Sequence, residues 1–308
     1  MEDEDKLSSF NNENGTEIKI DTNNITINKK KVSEASLTKL LSVKFTKLES
    51  LALNGLSLES LAFLKDINIP TLQKLSLNDN NIQSLDGIST VKLSNLTELS
   101  IQRNKIVSID DLSKASFPNL KKLCLTRNNI KSIDILSKTN FVNLEYIYLE
   151  NNNISSMEGL CFSPFTNLKH FSLNCNQIKN IDCLEKAPFK DLEYLFLVGN
   201  EIENIDVLGK VNFKKLKFLN LNGNKIKSVE VFCNVSFLDL SNLDLESNQI
   251  SNIDAFIKVP FTKLKHLGLR KNLFDKNDEK IKSIAKELEK KYDNIKVVLA
   301  QPDKGLLA

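Results

Sequence analysis

The sequence predicts an α/β solenoid, with a curved parallel β-sheet on its concave face, short helical turns on its convex face and a cap at each end. Three observations predict it: a 24-residue unit repeats ten times without insertion or deletion, apolar residues occupy positions 4 and 6 of each repeat, and an Asn recurs at position 9. Apolar residues at every second position over a few residues are typical of a strand that buries one face. Position 1 of the successive repeats is Leu48, Leu72, Leu96, Leu120, Leu144, Leu168, Leu192, Leu216, Leu240 and Leu264.

The N-terminal flank is expected to protect the first repeat. Residues 1–14 are acidic and rich in Asn, which predicts a disordered tail. Isoleucines alternate with polar residues on both sides of an Asp-Thr-Asn-Asn turn, so residues 17–20 and 24–28 are expected to form a hairpin, followed by a helix over residues 33–43. Residues 15–47 therefore form an N-terminal cap.

Each repeat carries three further signals. Because an amide can pair buried backbone groups, the Asn at position 9 predicts an internal ladder of hydrogen bonds. Ser or Asn followed by Ile-Asp at positions 13–15, as in Ser108 to Asp110, predicts a capped helical turn. A Phe at position 22 is expected to stack in the core. These residues are Phe117, Phe141, Phe165, Phe189, Phe213, Phe237 and Phe261.

The repeats occupy residues 48–274, the last one being partial, and residues 275–308 are expected to form a C-terminal cap and tail. Asn277 can begin a helix that runs to about residue 292, with Ile281, Ile284 and Leu288 on one face. A strand is predicted over residues 295–300. Terminal caps with a polar outer face are a general requirement of such arrays.

The pattern L-x-x-L-x-L-x-x-N-x-I, with Ile again at position 14, resembles a leucine-rich repeat over roughly residues 45 to 275. Its short unit is similar to the repeats of intracellular phosphatase-regulator proteins and of bacterial internalins. The resemblance implies the fold and a concave recognition surface. Their 22-residue unit ends near a Leu, whereas here two residues are added and Phe takes that place, so the resemblance does not carry over a phosphatase partner.

Composition predicts one elongated domain, with 41% hydrophobic residues, 26% charged residues and a net charge of +3. This charge is too small to predict nucleic-acid binding, and neither a secretory signal nor a membrane span is evident, so a cytoplasmic location is expected. The cysteines are odd in number and lie inside the array, which favours free thiols in a reducing compartment, with a bridge or shared metal between Cys161 and Cys183 as the alternative. No cofactor or metal is expected.

The sequence also predicts that the protein is not an enzyme. His170 and His266 lie four repeats apart, which at the spacing of neighbouring strands is about 19 Å, too far to share a metal or a proton. Phosphate-binding loops, nucleotide-binding glycine patterns and H-E-x-x-H helices are absent from the sequence.

Candidate binding residues occupy the outward strand positions, because positions 3, 5, 7 and 8 are expected to have no structural role. Aromatic side chains concentrate at positions 3 and 5 of the fifth to eighth repeats, where they would form a patch on the order of 15 Å long. Two of the three arginines lie at position 8 of adjacent repeats, and Arg suits both carboxylates and aromatic rings. The candidate residues are Tyr146, Tyr148, His170, Tyr194, Phe196, Phe218, Arg103 and Arg127.

These patterns favour a non-enzymatic scaffold or regulatory subunit that binds a protein partner on the concave face. The protein is expected to be monomeric, with no small-molecule substrate, nucleic acid or membrane among its ligands. An alternative is a microbial effector or adhesin-like factor, secreted by another route, that binds a host protein. Nucleic-acid binding through lysines on the convex face is a third alternative. A binding constant for nucleic acid that does not change with salt would exclude it.

Overall fold

A computed structural model of the protein describes residues 2–28, 32–65, 67, 69–275, 277–292 and 295–299. The described chain divides into two compact units. Unit 1 contains the residues up to Ile154 together with Ser163–Thr166, and unit 2 contains Ser155–Phe162 together with the residues from Asn167 onward. The expected C-terminal tail beyond residue 299 lies outside the described residues.

The strands of unit 1 are short, parallel and paired in chain order. The register joins equal positions of successive repeats, as in Leu51 with Leu75 and Leu99 with Leu123. Since side chains alternate along a strand, each pairing stacks one buried Leu on another and leaves positions 3 and 5 facing outward. The strands are β1 Asn24–Asn28, β2 Ser50–Asn54, β3 Lys74–Ser76, β4 Glu98–Ser100, β5 Lys122–Cys124 and β6 Tyr146–Tyr148.

Unit 2 repeats this arrangement with its own parallel strands. Leu195 pairs with Leu219, and Leu219 pairs with Leu243, so the same 24-residue register continues through this unit. The strands are β7 His170–Ser172, β8 Tyr194–Phe196, β9 Phe218–Asn220, β10 Asn242–Asp244, β11 His266–Gly268 and β12 Lys296–Val298.

A short 3₁₀ helix follows the strand in each of the first nine repeats, which confirms the predicted helical turns. Except in the second repeat, the position 13 side chain accepts a hydrogen bond from the N–H of the first helical residue, as where Ser108 Oγ accepts from the Asp110 N–H at 3.1 Å. These helices span Ala62–Leu64, Ile88–Thr90, Asp110–Ser113 and Asp134–Lys138 in unit 1, and Glu158–Leu160, Asp182–Glu185, Asp206–Gly209, Glu230–Asn234 and Asp254–Ile257 in unit 2.

The core of each unit contains the predicted Asn ladder and the predicted Phe residues. Asn104 Oδ1 accepts from the Ile82 N–H at 3.0 Å, and its Nδ2 donates to the Leu77 carbonyl at 3.0 Å. Both partners belong to the preceding repeat, so the amide completes that repeat's buried backbone. The position 22 rings are at most 2% exposed, and those of Phe117 and Phe141 stack with centroids 6.2 Å apart. Both predictions are confirmed.

The N-terminal residues form a helix where the sequence predicts a disordered tail. Helix α1, Glu2–Asn14, packs against helix α2, Glu34–Leu41, and buries Leu7 and Phe10. These two apolar residues are three positions apart, so they share one face of the helix. The acidic residues that suggest disorder occupy the first helical turn, where carboxylates interact favourably with the helix dipole.

The predicted hairpin is also wrong, because residues 17–20 form no strand. The Asn11 amide takes both backbone groups of Ile18: Nδ2 donates to its carbonyl at 2.8 Å, and Oδ1 accepts from its N–H at 3.0 Å. Strand β1 instead pairs in parallel with β2, and Asn24 lies opposite Ser50. The N-terminal cap therefore begins the parallel ladder itself.

Both predicted cap helices are present. Ser33 caps α2, since its side chain accepts from the Ser36 N–H. Helix α3, Glu279–Lys291, is capped by Asp278 instead of Asn277, and its buried face carries the expected Ile281, Ile284 and Leu288. The C-terminal strand β12 then pairs with β11, in agreement with the strand that the sequence predicts there.

Candidate functional site

The outward side chains at positions 3, 5, 7 and 8 of the repeats define a surface that we call the strand face. Position 8 follows the strand and carries a structural role that the sequence did not reveal. Arg103 and Arg127 have φ values of 53° and 57°, in the left-handed region. The same position holds Gly199 and Gly223 in unit 2, with φ of 63° and 68°. A left-handed turn thus ends the strands. Because few residue types adopt this backbone conformation readily, the residue at position 8 is selected partly by the turn and only partly by binding.

In unit 2 the predicted site residues form one cluster of rings. The His170 ring lies 5.5 Å from Tyr194 and 5.1 Å from Phe196, centroid to centroid. Phe196 lies 5.2 Å from Phe218 and 6.5 Å from Tyr194, and the planes of the Phe196 and Tyr194 rings are nearly parallel, 9° apart. These four residues, which we call the aromatic cluster, occupy positions 3 and 5 of adjacent repeats. Each remains half-buried, so part of every ring faces solvent.

The strands position these rings by packing their neighbours into the core. Tyr194 and Phe196 flank Leu195, which is fully buried, so the strand cannot rotate to hide both rings. Ring centroids separated by 4.5 to 7 Å attract one another beyond their simple burial. The aromatic cluster is therefore ordered before any ligand arrives.

In unit 1 the remaining predicted residues surround a depression. Arg103, Arg127 and Tyr148 line it together with Lys122 and Cys124, and its volume is about 480 Å³. Lys122 Nζ lies 5.6 Å from the centroid of the Tyr148 ring, which places a cation over its face. We call this feature the cationic depression. Tyr146, which is 36% exposed, lies on the same face but does not line it.

The structure thus places four of the eight candidate residues in each unit, and in unit 1 it groups Arg103, Arg127 and Tyr148 around the cationic depression, with Tyr146 outside it. Four of them, Arg103, Arg127, Tyr146 and Tyr148, belong to unit 1, and the aromatic cluster belongs to unit 2. The single continuous patch that the sequence suggests stays a prediction.

Ion pairs between neighbouring repeats occupy several charged side chains of the strand face. In unit 1, Arg103 Nη1 lies 3.3 Å from Asp79 Oδ1. In unit 2, Arg270 makes a bidentate pair with Glu246, with N to O distances of 2.6 and 2.8 Å. Glu246 is only 8% exposed, and hydrogen bonding to it raises the pKa of Arg270. Arg270 is therefore a structural residue, and opposite charges 24 residues apart were the signal that could have identified it.

The cysteines of both units are free thiols. Burial raises the pKa of Cys124 to about 11, against a smaller opposing effect from nearby Lys122. Burial also raises the pKa values of Cys161 and Cys183, whose thiols donate to the Glu158 carboxylate at 3.5 Å and to the Met157 carbonyl at 3.2 Å. Thiols with raised pKa values are poor nucleophiles at neutral pH.

Within the part of the chain that the structure describes, no cluster of three or more His, Cys, Asp or Glu side chains suited to a metal occurs. None of the helices in the described ranges has the length and apolar character needed to cross a membrane.

Solved structures with similar folds include two internalins from Listeria monocytogenes. The internalin inlF is 22% identical, with a TM-score of 0.71 over 98% of this chain and 90% of that one. Internalin C2 is 23% identical, with a TM-score of 0.53 over 71% and 84%. The ectodomain of the receptor kinase GASSHO1/SCHENGEN3 from Arabidopsis thaliana, solved in complex with CASPARIAN STRIP INTEGRITY FACTOR 2, is 20% identical, with a TM-score of 0.60 over 83% of this chain and 30% of that one.

Comparison with curated protein sequences gave no significant match. A family model described as a leucine rich repeat matches residues 70–130, 118–178 and 142–202, and one described as two copies of leucine rich repeats matches residues 190–234. Together the matches cover more than half of the chain, and the structural neighbours share its solenoid fold. The chain belongs to the leucine-rich repeat family.

Proposed function

We propose that this protein is a non-enzymatic binding protein that holds a protein partner against its strand face. One observation carries the proposal: the aromatic cluster of unit 2, in which successive ring centroids are 5.1 to 6.5 Å apart, is packed and still open to solvent. Large aromatic side chains dominate the energetics of protein interfaces, and grouped exposed rings usually mark such a site.

The order of the cluster supports this role. Association costs conformational entropy for each side chain that it immobilises, about 0.5 to 1.5 kcal/mol for a flexible one. The rings of Tyr194 and Phe196 already hold each other nearly parallel, so a partner would lose less free energy in ordering them. Tyr194 also offers a hydroxyl for a hydrogen bond beside an apolar contact.

The family and its neighbours support a protein or peptide as the ligand. The Arabidopsis ectodomain was solved in complex with CASPARIAN STRIP INTEGRITY FACTOR 2, the plant peptide hormone receptor RGFR1 was solved in complex with RGF2, and a further neighbour is the structure of PEPR1-AtPEP1. Because this chain covers only 30 to 41% of those proteins, their ligands support a class of partner and no particular one.

The proposal can be tested by comparing partner recovery and affinity for three variants. Tyr194→Ala and Phe196→Ala are each expected to weaken binding by about 2 kcal/mol, roughly thirtyfold, because each removes a ring from the centre of the cluster. Phe162→Ala is the matched control, since Phe162 is also in unit 2 and is 75% exposed but lies outside the cluster.

Circular dichroism and thermal melting should show that all three variants fold as the wild type does. The affinities would be measured by surface plasmon resonance on the partner recovered with wild-type protein. Equal affinity of Phe196→Ala and Phe162→Ala for that partner would contradict the proposed site.

A further inference from the structure

We infer that the cationic depression of unit 1 binds the acidic side chains of an extended peptide segment. The inference rests on the proposed function and specifies that the partner presents acidic side chains. In unit 1, positions 3, 5, 7 and 8 carry four cations: Lys74, Arg103, Lys122 and Arg127.

Two of these cations already have carboxylate partners. Lys74 Nζ lies 2.9 Å from Glu98 Oε1, and Arg103 pairs with Asp79. Lys122 and Arg127 have no carboxylate within ion-pair distance in the described ranges of the chain. Both of them line the same depression. The two cations of this face that have no ion-pair partner among the described residues therefore lie in the same depression.

The walls of the depression suit a carboxylate on a flexible side chain. The Tyr148 ring supplies a flat apolar surface, against which the methylene groups of a Glu can pack. Arg127 offers a planar fork that can donate two parallel hydrogen bonds to one carboxylate. Gln102 and Asn151, which also line it, can bond the backbone of a bound segment.

The distribution of charge favours several single negative charges over one phosphate dianion. Lys122 is at position 3, within β5, and Arg127 is at position 8, beyond the end of that strand, so the two cations lie on different segments of the repeat. Glu150 also lines the depression, and its carboxylate accepts a hydrogen bond from Thr126 Oγ1. That fixed negative charge would repel a dianion more strongly than a carboxylate.

The experiment measures fluorescence anisotropy of a short peptide in which Glu alternates with Ala, added to the full chain. Its ends are acetylated and amidated, and it carries a neutral fluorophore, so its side chains hold all of its charge. We expect the peptide to bind, and we expect raised salt to weaken binding. The same peptide with Gln in place of Glu should lose at least about tenfold in affinity.

Three substitutions place the binding site. Arg127→Gln and Lys122→Gln should each weaken binding of the Glu peptide about tenfold, because each removes an unpaired cation from the depression. Lys131→Gln is the matched control: it removes one exposed positive charge of unit 1 outside the depression and should change affinity less than about twofold. Thermal melting checks that each variant is folded.

Each contrary result has a distinct meaning. Equal binding of the Glu and Gln peptides, or equal effects of Arg127→Gln and Lys131→Gln, would overturn the inference. Binding of a phosphotyrosine peptide without binding of the Glu peptide would also overturn it and assign the depression to a dianion. Phe196→Ala should leave Glu peptide binding unchanged, so failure of the aromatic site and failure of the acidic site can be told apart.

Discussion

Replacing Asn128 with Ala would test whether the Asn ladder holds the repeats together. Its Oδ1 accepts from the Ile106 N–H at 3.1 Å, and its Nδ2 donates to the Ile101 carbonyl at 2.9 Å and to the Leu125 carbonyl at 3.0 Å. The Leu125 carbonyl would keep a second donor, Asn152 Nδ2, at 3.1 Å. The substitution would therefore leave two buried backbone groups without the amide that pairs them.

Each buried group left without a hydrogen-bond partner costs about 1 to 3 kcal/mol. For two such groups we expect a loss of about 3 to 4 kcal/mol in the free energy of unfolding, a large part of the total stability of an ordinary domain. Because Asn128 bonds the preceding repeat, the loss falls on the interface between two repeats, which is where an array of this kind holds its stability.

Asn119→Ala is the matched control for this substitution. Asn119 Nδ2 donates to the Ser94 carbonyl at 2.8 Å, but this bond is exposed, so water can replace it. Urea unfolding followed by circular dichroism would measure both variants, and Asn119→Ala should lose less than about 1 kcal/mol. If both variants lose the same free energy, the buried amide is not what stabilises the interface.

Two further predictions concern a thiol and the N-terminal helix. Because burial raises the pKa of Cys124 to about 11, only about one thiol in a thousand is ionised at pH 8, and alkylation by iodoacetamide should accelerate up to about pH 11. Mass spectrometry should find exposed Cys175 alkylated first, and the reverse order would contradict the burial of Cys124. Phe10→Ala removes a fully buried ring, so it should lower the free energy of unfolding by about 3 kcal/mol and make α1 sensitive to limited proteolysis. Ser8→Ala, at an exposed position of the same helix, should do neither. Equal cleavage of the two variants would mean that Phe10 does not hold α1 in place.

The features that could be predicted from the sequence are those that depend on residues recurring at the same position of every repeat. A position such as 9 or 22 recurs with one residue type, so its role follows from the period, and burial of Asn104 and Phe117 is found where it was expected. The 3₁₀ helices follow for the same reason, since Ser108 and its equivalents cap the backbone two residues later.

The features that could not be predicted depend on contacts distant in sequence. Helix α1 has an acidic, weakly apolar sequence, and its order comes from burying Leu7 and Phe10 near α2. The difference between Arg127 and Arg270 is invisible in residue type alone, and only the opposite charge of Glu246, 24 residues before Arg270, signals it in the sequence. Arg270 is already bound to Glu246, whereas Arg127 lines the cationic depression. Tertiary neighbours make one arginine structural and leave the other available.

The Asn ladder has a direction that bears on how the chain is made. Asn104 bonds Ile82 and Leu77, and Asn128 bonds Ile106 and Ile101, so each amide serves the repeat before its own. The buried backbone of a repeat that has left the ribosome therefore lacks these hydrogen bonds until the Asn of the following repeat emerges. We expect nascent chains truncated just before an Asn to be far more sensitive to protease than chains extended past it, and shortened versions of the protein to tolerate loss of N-terminal repeats better than loss of C-terminal ones.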